Sequence, residues 1–224
     1  MLILQHNCRK TYAVCVQALE QALEKKAGIV CLQEPYLGSL SHPSFTFFWP
    51  EIEEKRTIRV ATAVRRDILG PWAVEHRTDL VNNTHVQCLD VWERHGEKKE
   101  QMTRLVNVYD QWIRPEQGIA VRAITRLSWP HIITRRTILA GDFNARSPRW
   151  DPFVRRPTNC KELLEIIEKH QLLLNNTEVP TREEKKSRSV IDLTLSTPDL
   201  GLLENWAVDL DYPTASDHKI IYFS

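Results

Sequence analysis

Short apolar stretches recur along the whole chain, and polar turns separate them. Their lengths fit buried β-strands better than helices, which need about ten residues or more. Gly70-Pro71 and His95-Gly96 mark two of the turns. The pattern predicts strands at residues 2–6, 28–33, 45–48, 59–64, 85–92, 103–109, 137–140, 190–195, 206–210 and 219–223.

Helical periodicity occurs in three stretches, residues 11–26, 115–127 and 159–170. In the first, Val16, Leu19 and Leu23 fall on one face. Pro115 suits the first turn of the second helix, and Asn159 is predicted to cap the third. Since strands outnumber helices and no repeat or long polar linker interrupts them, the pattern predicts a strand-rich α/β fold with helices outside.

The amino-acid composition mainly excludes certain classes of protein. The chain has 224 residues, of which 42% are hydrophobic and 26% charged, as in globular domains. Thirty basic and 29 acidic residues give a net charge of +1, which excludes a generally basic nucleic-acid binder but not a locally basic face. The five cysteines show no paired spacing and predict reduced thiols in an intracellular protein. We expect one domain over residues 1–224, with no secretion signal and no membrane span.

Polar residues stand where the predicted strands end. Singly, each has an ordinary explanation, such as a solvated strand end or an Asx turn. Together they predict a shared site, because buried carboxylates and amides need partners, and their oxygens suit a hard divalent cation. The residues of this set are Asn7, Glu34, Tyr109, Asp142, Asn144, Asp192, Asp217 and His218.

Six segments that carry these residues resemble, in chain order, the motifs of the endonuclease/exonuclease/phosphatase superfamily. The segments are Gln5-His6-Asn7, Leu32-Gln33-Glu34-Pro35, Asn107-Val108-Tyr109, Gly141-Asp142-Phe143-Asn144-Ala145, Ser189-Val190-Ile191-Asp192-Leu193-Thr194 and Ser216-Asp217-His218. Their form, together with Ser147-Pro148-Arg149-Trp150, looks most like the apurinic-like endonuclease domain of non-LTR (LINE-type) retrotransposons.

The resemblance implies a fold and a cofactor. The fold would be α/β, a four-layer α/β/β/α sandwich of two mainly antiparallel sheets as in DNase I-like enzymes. The cofactor would be Mg²⁺, with Mn²⁺ as a substitute. Glu34 would be the principal metal ligand, with Asn7 near it and Asp217 as a further carboxylate on the metal side.

The resemblance also implies catalytic roles. Asp142 and Asn144 would position or deprotonate the attacking water and contact the phosphate. His218 would donate to the scissile phosphate while Asp192 orients it, and Tyr109 would support the phosphate or the leaving oxygen. An in-line attack spreads negative charge over oxygens, which a cation and an imidazolium stabilise.

The substrate implied is double-stranded DNA. Residues 181–188 predict a polar hairpin at the place where LINE-type endonucleases project one towards DNA, although a solvated turn of mixed charge is an alternative. The sequence departs from the family pattern at two places. Related enzymes often have proline two residues after the tyrosine, whereas here Tyr109 is followed by Asp110 and Gln111. LINE-type domains often have histidine where this chain has Arg146. The candidate DNA contacts are Arg146, Arg149, Lys185, Lys186 and Arg188.

We therefore expect a Mg²⁺-dependent endonuclease that nicks duplex DNA to prime reverse transcription of a retroelement in the nucleus. The alternatives are a repair nuclease for abasic sites and a catalytically silent, domesticated DNA-binding module. Because the motifs fill the chain so tightly, we expect an excised part of a longer polyprotein that also carries a reverse transcriptase. No membrane partner is expected.

Overall fold

Two β-sheets form the centre of the protein. The computed structural model describes residues 1–52, 57–95, 101–114, 119–185 and 187–224. The strands in chain order are β1 (Ile3–Asn7), β2 (Ile29–Gln33), β3 (Phe45–Phe48), β4 (Val60–Arg65), β5 (Trp72–His76), β6 (Val86–Glu93), β7 (Thr103–Tyr109), β8 (Trp112–Ile113), β9 (Val121–Arg122), β10 (Thr137–Asp142), β11 (Leu173–Leu174), β12 (Arg182–Glu184), β13 (Ser187–Ser189), β14 (Asp192–Ser196), β15 (Ala207–Asp209) and β16 (Ile220–Phe223).

Helical segments are short and few in the described part of the chain. The α-helices are α1 (Tyr12–Glu24), α2 (Trp129–Ile132) and α3 (Lys161–His170). Two 3₁₀ turns cover Arg66–Leu69 and Ala123–Arg126. Among the described residues, no helix has both the length and the apolar character that crossing a bilayer demands.

Each sheet has six strands and contains one parallel pair. The first sheet has the order β15-β16-β1-β2-β4-β3, in which β1 and β2 are parallel. The second has the order β11-β14-β10-β7-β6-β5, in which β7 and β10 are parallel. All other neighbours within the two sheets are antiparallel.

Three apolar layers hold the four structural layers together. Helix α1 packs Val14, Ala18 and Leu19 on the outer face of the first sheet. The inner faces of the two sheets meet through residues such as Ile29 and Leu105. Helices α2 and α3 cover the outer face of the second sheet. The predicted four-layer α/β/β/α sandwich is confirmed, and all five cysteines in it are free and buried.

The helix predicted over residues 115–127 is wrong in its described part. Residues 121–122 are strand β9, and a 3₁₀ turn follows over residues 123–126. Ile119 is 87% exposed, so the apolar residues of this stretch do not form one buried helical face. The predicted helix start at Pro115 lies outside the described residues, as does Gly96 of a predicted turn.

The predicted cap at Asn159 is also wrong. The helix begins at Lys161, Cys160 occupies the cap position, and no side chain caps it. Thr158 pairs with Arg146 through two backbone hydrogen bonds of 2.8 Å, and Asn159 then turns the chain with a positive φ of 54°. This left-handed conformation, which asparagine tolerates well, takes the residue away from the cap geometry.

Candidate active site

The register of the strands brings the polar strand ends to one edge of the sandwich. Parallel β1 and β2 end side by side at Asn7 and Gln33, and Glu34 follows. In the second sheet, Asp142 lies opposite Tyr109 on one side and opposite Asp192 on the other. Because parallel strands present the same ends to one edge, residues far apart in sequence meet here.

A hydrogen bond between the two sheets fixes Asp142. The Asn7 amide donates from Nδ2 to Asp142 Oδ2 at 2.9 Å, and both residues are buried. The other oxygen, Oδ1, accepts the backbone N–H of Asn144 at 2.9 Å. Asn144 has a positive φ of 45° and donates its Nδ2 to the carbonyl of Asp110 at 3.0 Å. The carboxylate is therefore held at both oxygens.

His218 and Asp192 form a buried charge pair. His218 Nδ1 lies 2.8 Å from Asp192 Oδ2 and 3.0 Å from Oδ1. Burial alone would lower the pKa of His218, but the carboxylates around it, Asp192 first and then Asp142 and Asp217, together outweigh burial and raise the pKa to about 9. Nδ1 therefore donates to Asp192, and the imidazolium presents Nε2 to the site, 3.9 Å from Asp142 Oδ2.

Asp142 is buried beside another carboxylate, so its pKa differs from that of a surface aspartate. Burial and then the charge of Asp192 raise the pKa of Asp142 to about 7, although His218 acts to lower it. A carboxylate with such a pKa can accept a proton near neutral pH, which is what a general base needs. The site thus pairs a proton donor at His218 with a proton acceptor at Asp142.

Glu34 and Tyr109 form the other side of the site. Glu34 is largely buried and has a positive φ of 43°, which is unusual for a residue with a long side chain. Its Oε1 lies 3.3 Å from Lys10 Nζ. Burial, followed by the charges of Glu34 and Asp142, raises the pKa of the Tyr109 phenol far above its ordinary range, so the hydroxyl keeps its proton and stays a donor.

Two arginines hold Asp217. Arg9 Nη1 lies 3.0 Å from Asp217 Oδ1, and Arg182 Nε lies 2.7 Å from Oδ2. Burial would raise the pKa of Asp217, but the hydrogen bond from Arg182 and the charges of His218, Arg182 and Arg9 together outweigh it and lower the pKa. Asp217 Oδ1 is 4.0 Å from His218 Nε2, so this carboxylate belongs to the same cluster.

The oxygen donors fit a divalent cation. The site offers carboxylates and an amide, the oxygen donors that Mg²⁺ prefers. Lys10 and Arg9 now neutralise Glu34 and Asp217, the charge that a cation would compensate. Asp142, Asp192 and His218 also bring one possible ligand atom each within 4.8 Å of one another. Because both nitrogens of a protonated imidazole carry hydrogens, His218 in that state has no free lone pair for a cation.

The residues predicted to contact DNA have different surroundings. Arg146 binds buried Asp151 at 2.9 Å and the carbonyl of Arg188 at 3.1 Å, so it braces the loop after β10. Arg149 pairs with Glu168 of helix α3 at 2.9 Å, and not with a carboxylate of the candidate site. Lys186 lies outside the described residues.

The predicted hairpin at residues 181–188 exists as β12 and β13. Lys185 stands at its turn with a positive φ of 50°, and Arg188 pairs across it with Glu183 at 3.0 Å. Its base is joined to the active site, because the N–H of Glu183 donates to the carbonyl of Asp217 at 2.8 Å. The hairpin and segment 216–218 of the candidate site therefore form one connected structure.

Several residues of the site escaped the sequence analysis. Arg9, Lys10 and Arg182 carry no motif and look like ordinary surface cations. Thr181 is fully buried, and its Oγ1 accepts the backbone N–H groups of Ile191 and Asp192 at 3.1 and 3.0 Å. The only sequence signal was proximity to the motifs, which does not tell a solvated cation from a paired one.

The fold and the site define a DNase I-like member of the endonuclease/exonuclease/phosphatase superfamily. A family model described as "Endonuclease-reverse transcriptase" matches residues 104–222, and the chain belongs to that family. The family predicted from the sequence is thus confirmed. Among curated proteins, no sequence match was found.

Solved structures share the fold over the whole chain. The endonuclease domain of TRAS1, a telomere-specific non-LTR retrotransposon, superposes with a TM-score of 0.77 at 24% identity, covering 100% of this chain and 97% of that one. The catalytic domain of Xenopus laevis APE2 gives 0.65 at 15% identity, covering 100% and 91%. A 3'-5' exonuclease (NExo) from Neisseria meningitidis gives 0.66 at 16%, covering 100% and 99%.

Proposed function

We propose that this protein is a Mg²⁺-dependent endonuclease that nicks double-stranded DNA to prime target-primed reverse transcription of a non-LTR retrotransposon. The observation that carries the proposal is the buried arrangement Asp192–His218–Asp142, with a proton donor and a proton acceptor 3.9 Å apart. The family match and the likeness to TRAS1 support the retroelement context. Mn²⁺ is the expected substitute metal.

In this proposal each residue has a task that the geometry supports. Asp142 accepts the proton of the attacking water, and Asn7 and Asn144 keep its carboxylate aimed. His218 donates from Nε2 to a phosphate oxygen, while Asp192 stabilises the imidazolium. Tyr109 donates to the phosphate or the leaving oxygen.

Glu34, Asn7 and Asp217 are the residues that would hold the metal. When bound, the cation would polarise the scissile phosphate and stabilise negative charge on its oxygens. In this arrangement Lys10 and Arg9, which face those carboxylates, are released towards the phosphates of the substrate.

The proposal also includes the DNA contacts and the partners of the protein. Lys185, Lys186 and Arg188 of the hairpin are proposed to touch the DNA flanking the nick, and Arg146 and Arg149 to support the adjacent loop. We propose that residues 1–224 form one endonuclease domain of a polyprotein, that its reverse transcriptase lies in the same polyprotein, and that it acts in the nucleus. No membrane partner is proposed.

The experiment that tests the function compares substrates. Supercoiled plasmid, an abasic oligonucleotide duplex and an undamaged duplex are incubated with the protein and Mg²⁺, each beside a sample with chelator. We expect relaxed circles from undamaged plasmid only when Mg²⁺ is present. Cleavage confined to the abasic duplex would instead identify a repair nuclease, and DNA binding without cleavage would identify a silent binding module.

A further inference from the structure

A second, smaller hairpin stands beside the active site. Strands β8 and β9 pair Trp112 with Arg122 across it. The chain enters this hairpin directly from the site, because the N–H of Asp110 donates to the carbonyl of Asp142 at 2.8 Å. Trp112 follows Tyr109 by three residues, so their Cα atoms are at most about 11 Å apart. That is roughly three steps along one strand of B-DNA.

Trp112 is unusual among the tryptophans of the chain. It is 51% exposed, whereas the other six are buried or half-buried. Leaving so large an apolar side chain in water forfeits burial that folding would otherwise gain. An exposed tryptophan next to a candidate active site is therefore a feature to explain by function.

The indole ring rests on a fixed cation. The guanidinium of Arg122 lies over the Trp112 ring at 5.8 Å from its centroid. Arg122 is only 1% exposed, and its Nη2 and Nε bind Asp110 Oδ2 at 2.6 and 3.1 Å. Its Nη2 also donates to the carbonyl of Phe143 at 2.5 Å. Because the guanidinium cannot move freely, one face of the indole is supported while the rest of the side chain meets solvent.

The same ion pair supports the catalytic loop. The carbonyl of Asp110 accepts Nδ2 of Asn144, whose backbone N–H in turn holds Asp142. Trp112 and the catalytic carboxylate thus share one buried anchor, Asp110–Arg122. Arg126 lines a cavity together with Ile113 of the same hairpin, so a further cation stands beside it.

We propose that Trp112 is a nucleobase-stacking residue, which contacts a base unstacked within about three nucleotides of the scissile phosphate. This inference rests on the proposed DNA-nicking function and adds a substrate class to it: duplexes with an unpaired or easily unstacked base beside the nick. An aromatic face accepts any base, so Trp112 would sense local unstacking rather than sequence. Flexible pyrimidine–purine steps, which unstack most easily, would be preferred in intact DNA.

The test measures binding separately from cleavage. Fluorescence anisotropy of labelled duplexes, one fully paired and one with a single unpaired base, is recorded in the Asp142→Asn background with Mg²⁺, so that the DNA stays intact. We expect this parent to prefer the unpaired base, and Trp112→Ala to reduce that preference by about 5- to 150-fold, the scale of one base–aromatic stack. Trp112→Tyr should keep most of it.

A matched control and a stability measurement complete the design. Leu202→Ala removes another exposed apolar side chain, 66% exposed and outside the site, and should leave the preference unchanged. Thermal unfolding shows whether Trp112→Ala folds like its parent, and Trp112→Tyr keeps the comparison valid if it does not. Equal preference in parent and Trp112→Ala, or a parent without preference, overturns the proposal. Absence of plasmid nicking by the wild-type protein, with the preference intact, overturns the proposed function instead.

Discussion

At the residue scale, we expect substitutions of His218 and Asp192 to have coupled effects on the nicking rate. The pair is buried, and both oxygens of Asp192 lie within 3.0 Å of Nδ1. We expect His218→Ala to lower the nicking rate by about 10²–10⁴, the scale of a lost proton donor and electrostatic contact. Asp192→Asn should cause a smaller loss. Single-turnover rates of the double variant decide the matter, because losses that simply multiply would show two independent residues.

The same pair predicts how stability depends on pH. The pKa of His218 is about 9 when folded, against 6.5 for an ordinary histidine. The stabilisation is therefore complete below about pH 6.5 and is lost as the pH rises through about 9. In metal-free protein, urea unfolding should show a decrease of a few kcal/mol across this range. His218→Gln should remove most of that slope, and an equal slope in both proteins would contradict the assigned pKa.

The residues of the site were predicted unevenly. Asp142, Asp192 and His218 meet as expected, because strand ends carry them and the motifs occur in order. The bond from Asn7 to Asp142 could not be predicted, since it depends on how the two sheets stack. The partners Arg9 and Arg182 were missed for a different reason: nothing in a sequence distinguishes a surface arginine from one aimed at a carboxylate.

At the element scale, the close approach of strands β10 and β7 restricts which residue can occupy position 141. A Cβ at Gly141 would overlap the carbonyl oxygen of Val108 on the neighbouring strand β7. Gly141→Ala should therefore displace β10 and the carboxylate of Asp142, lowering the free energy of unfolding by at least about 1–3 kcal/mol. Gly70→Ala is the control, because the nearest atom to a Cβ there is 3.9 Å away. Chemical denaturation of both variants checks this, and equal stabilities would refute the constraint.

The hairpin β12–β13 carries the proposed choice of target. Lys185→Ser with Lys186→Ser should redistribute nicks on a plasmid, because phosphate and shape contacts would change while the catalytic residues stay. The slope of binding against salt concentration should fall by roughly 2. Lys25→Ser with Lys26→Ser, after the far end of helix α1, removes the same charge away from the site. Nicks mapped at nucleotide resolution in an unchanged pattern would reject this role.

Helices and strands were predicted best where burial determines the spacing of apolar residues along the chain. Strands at residues 45–48 and 103–109 match their predicted bounds, since their apolar residues face a sheet neighbour or a core layer. The helix predicted over residues 115–127 failed because buried Arg122 pairs with Asp110, a tertiary contact that helical periodicity does not reveal. The hairpin β8–β9 was missed for the same reason, and its two-residue strands are too short to show a period.

At the scale of the whole molecule, both sheets contribute residues to the site. The first contributes Asn7 and Glu34, and the second contributes Tyr109, Asp142 and Asp192, so the site exists only when the sheets stack. A net charge of +1 means that attraction to DNA must be local. Arg9, Lys10 and Arg182 are each paired with a carboxylate of the site, so they would add net positive charge there only when a bound cation compensates Glu34 and Asp217.

The most direct test of the account is plasmid nicking by Asp142→Asn. The wild-type protein, Asp142→Asn and the control Asp67→Asn, an exposed carboxylate outside the site, are compared on supercoiled plasmid with Mg²⁺, with plasmid binding and thermal unfolding measured in parallel. We expect Asp142→Asn to bind plasmid and fold like the wild type but to form relaxed circles at least about 10²-fold more slowly, while Asp67→Asn nicks normally. Nicking by Asp142→Asn at the wild-type rate would contradict it.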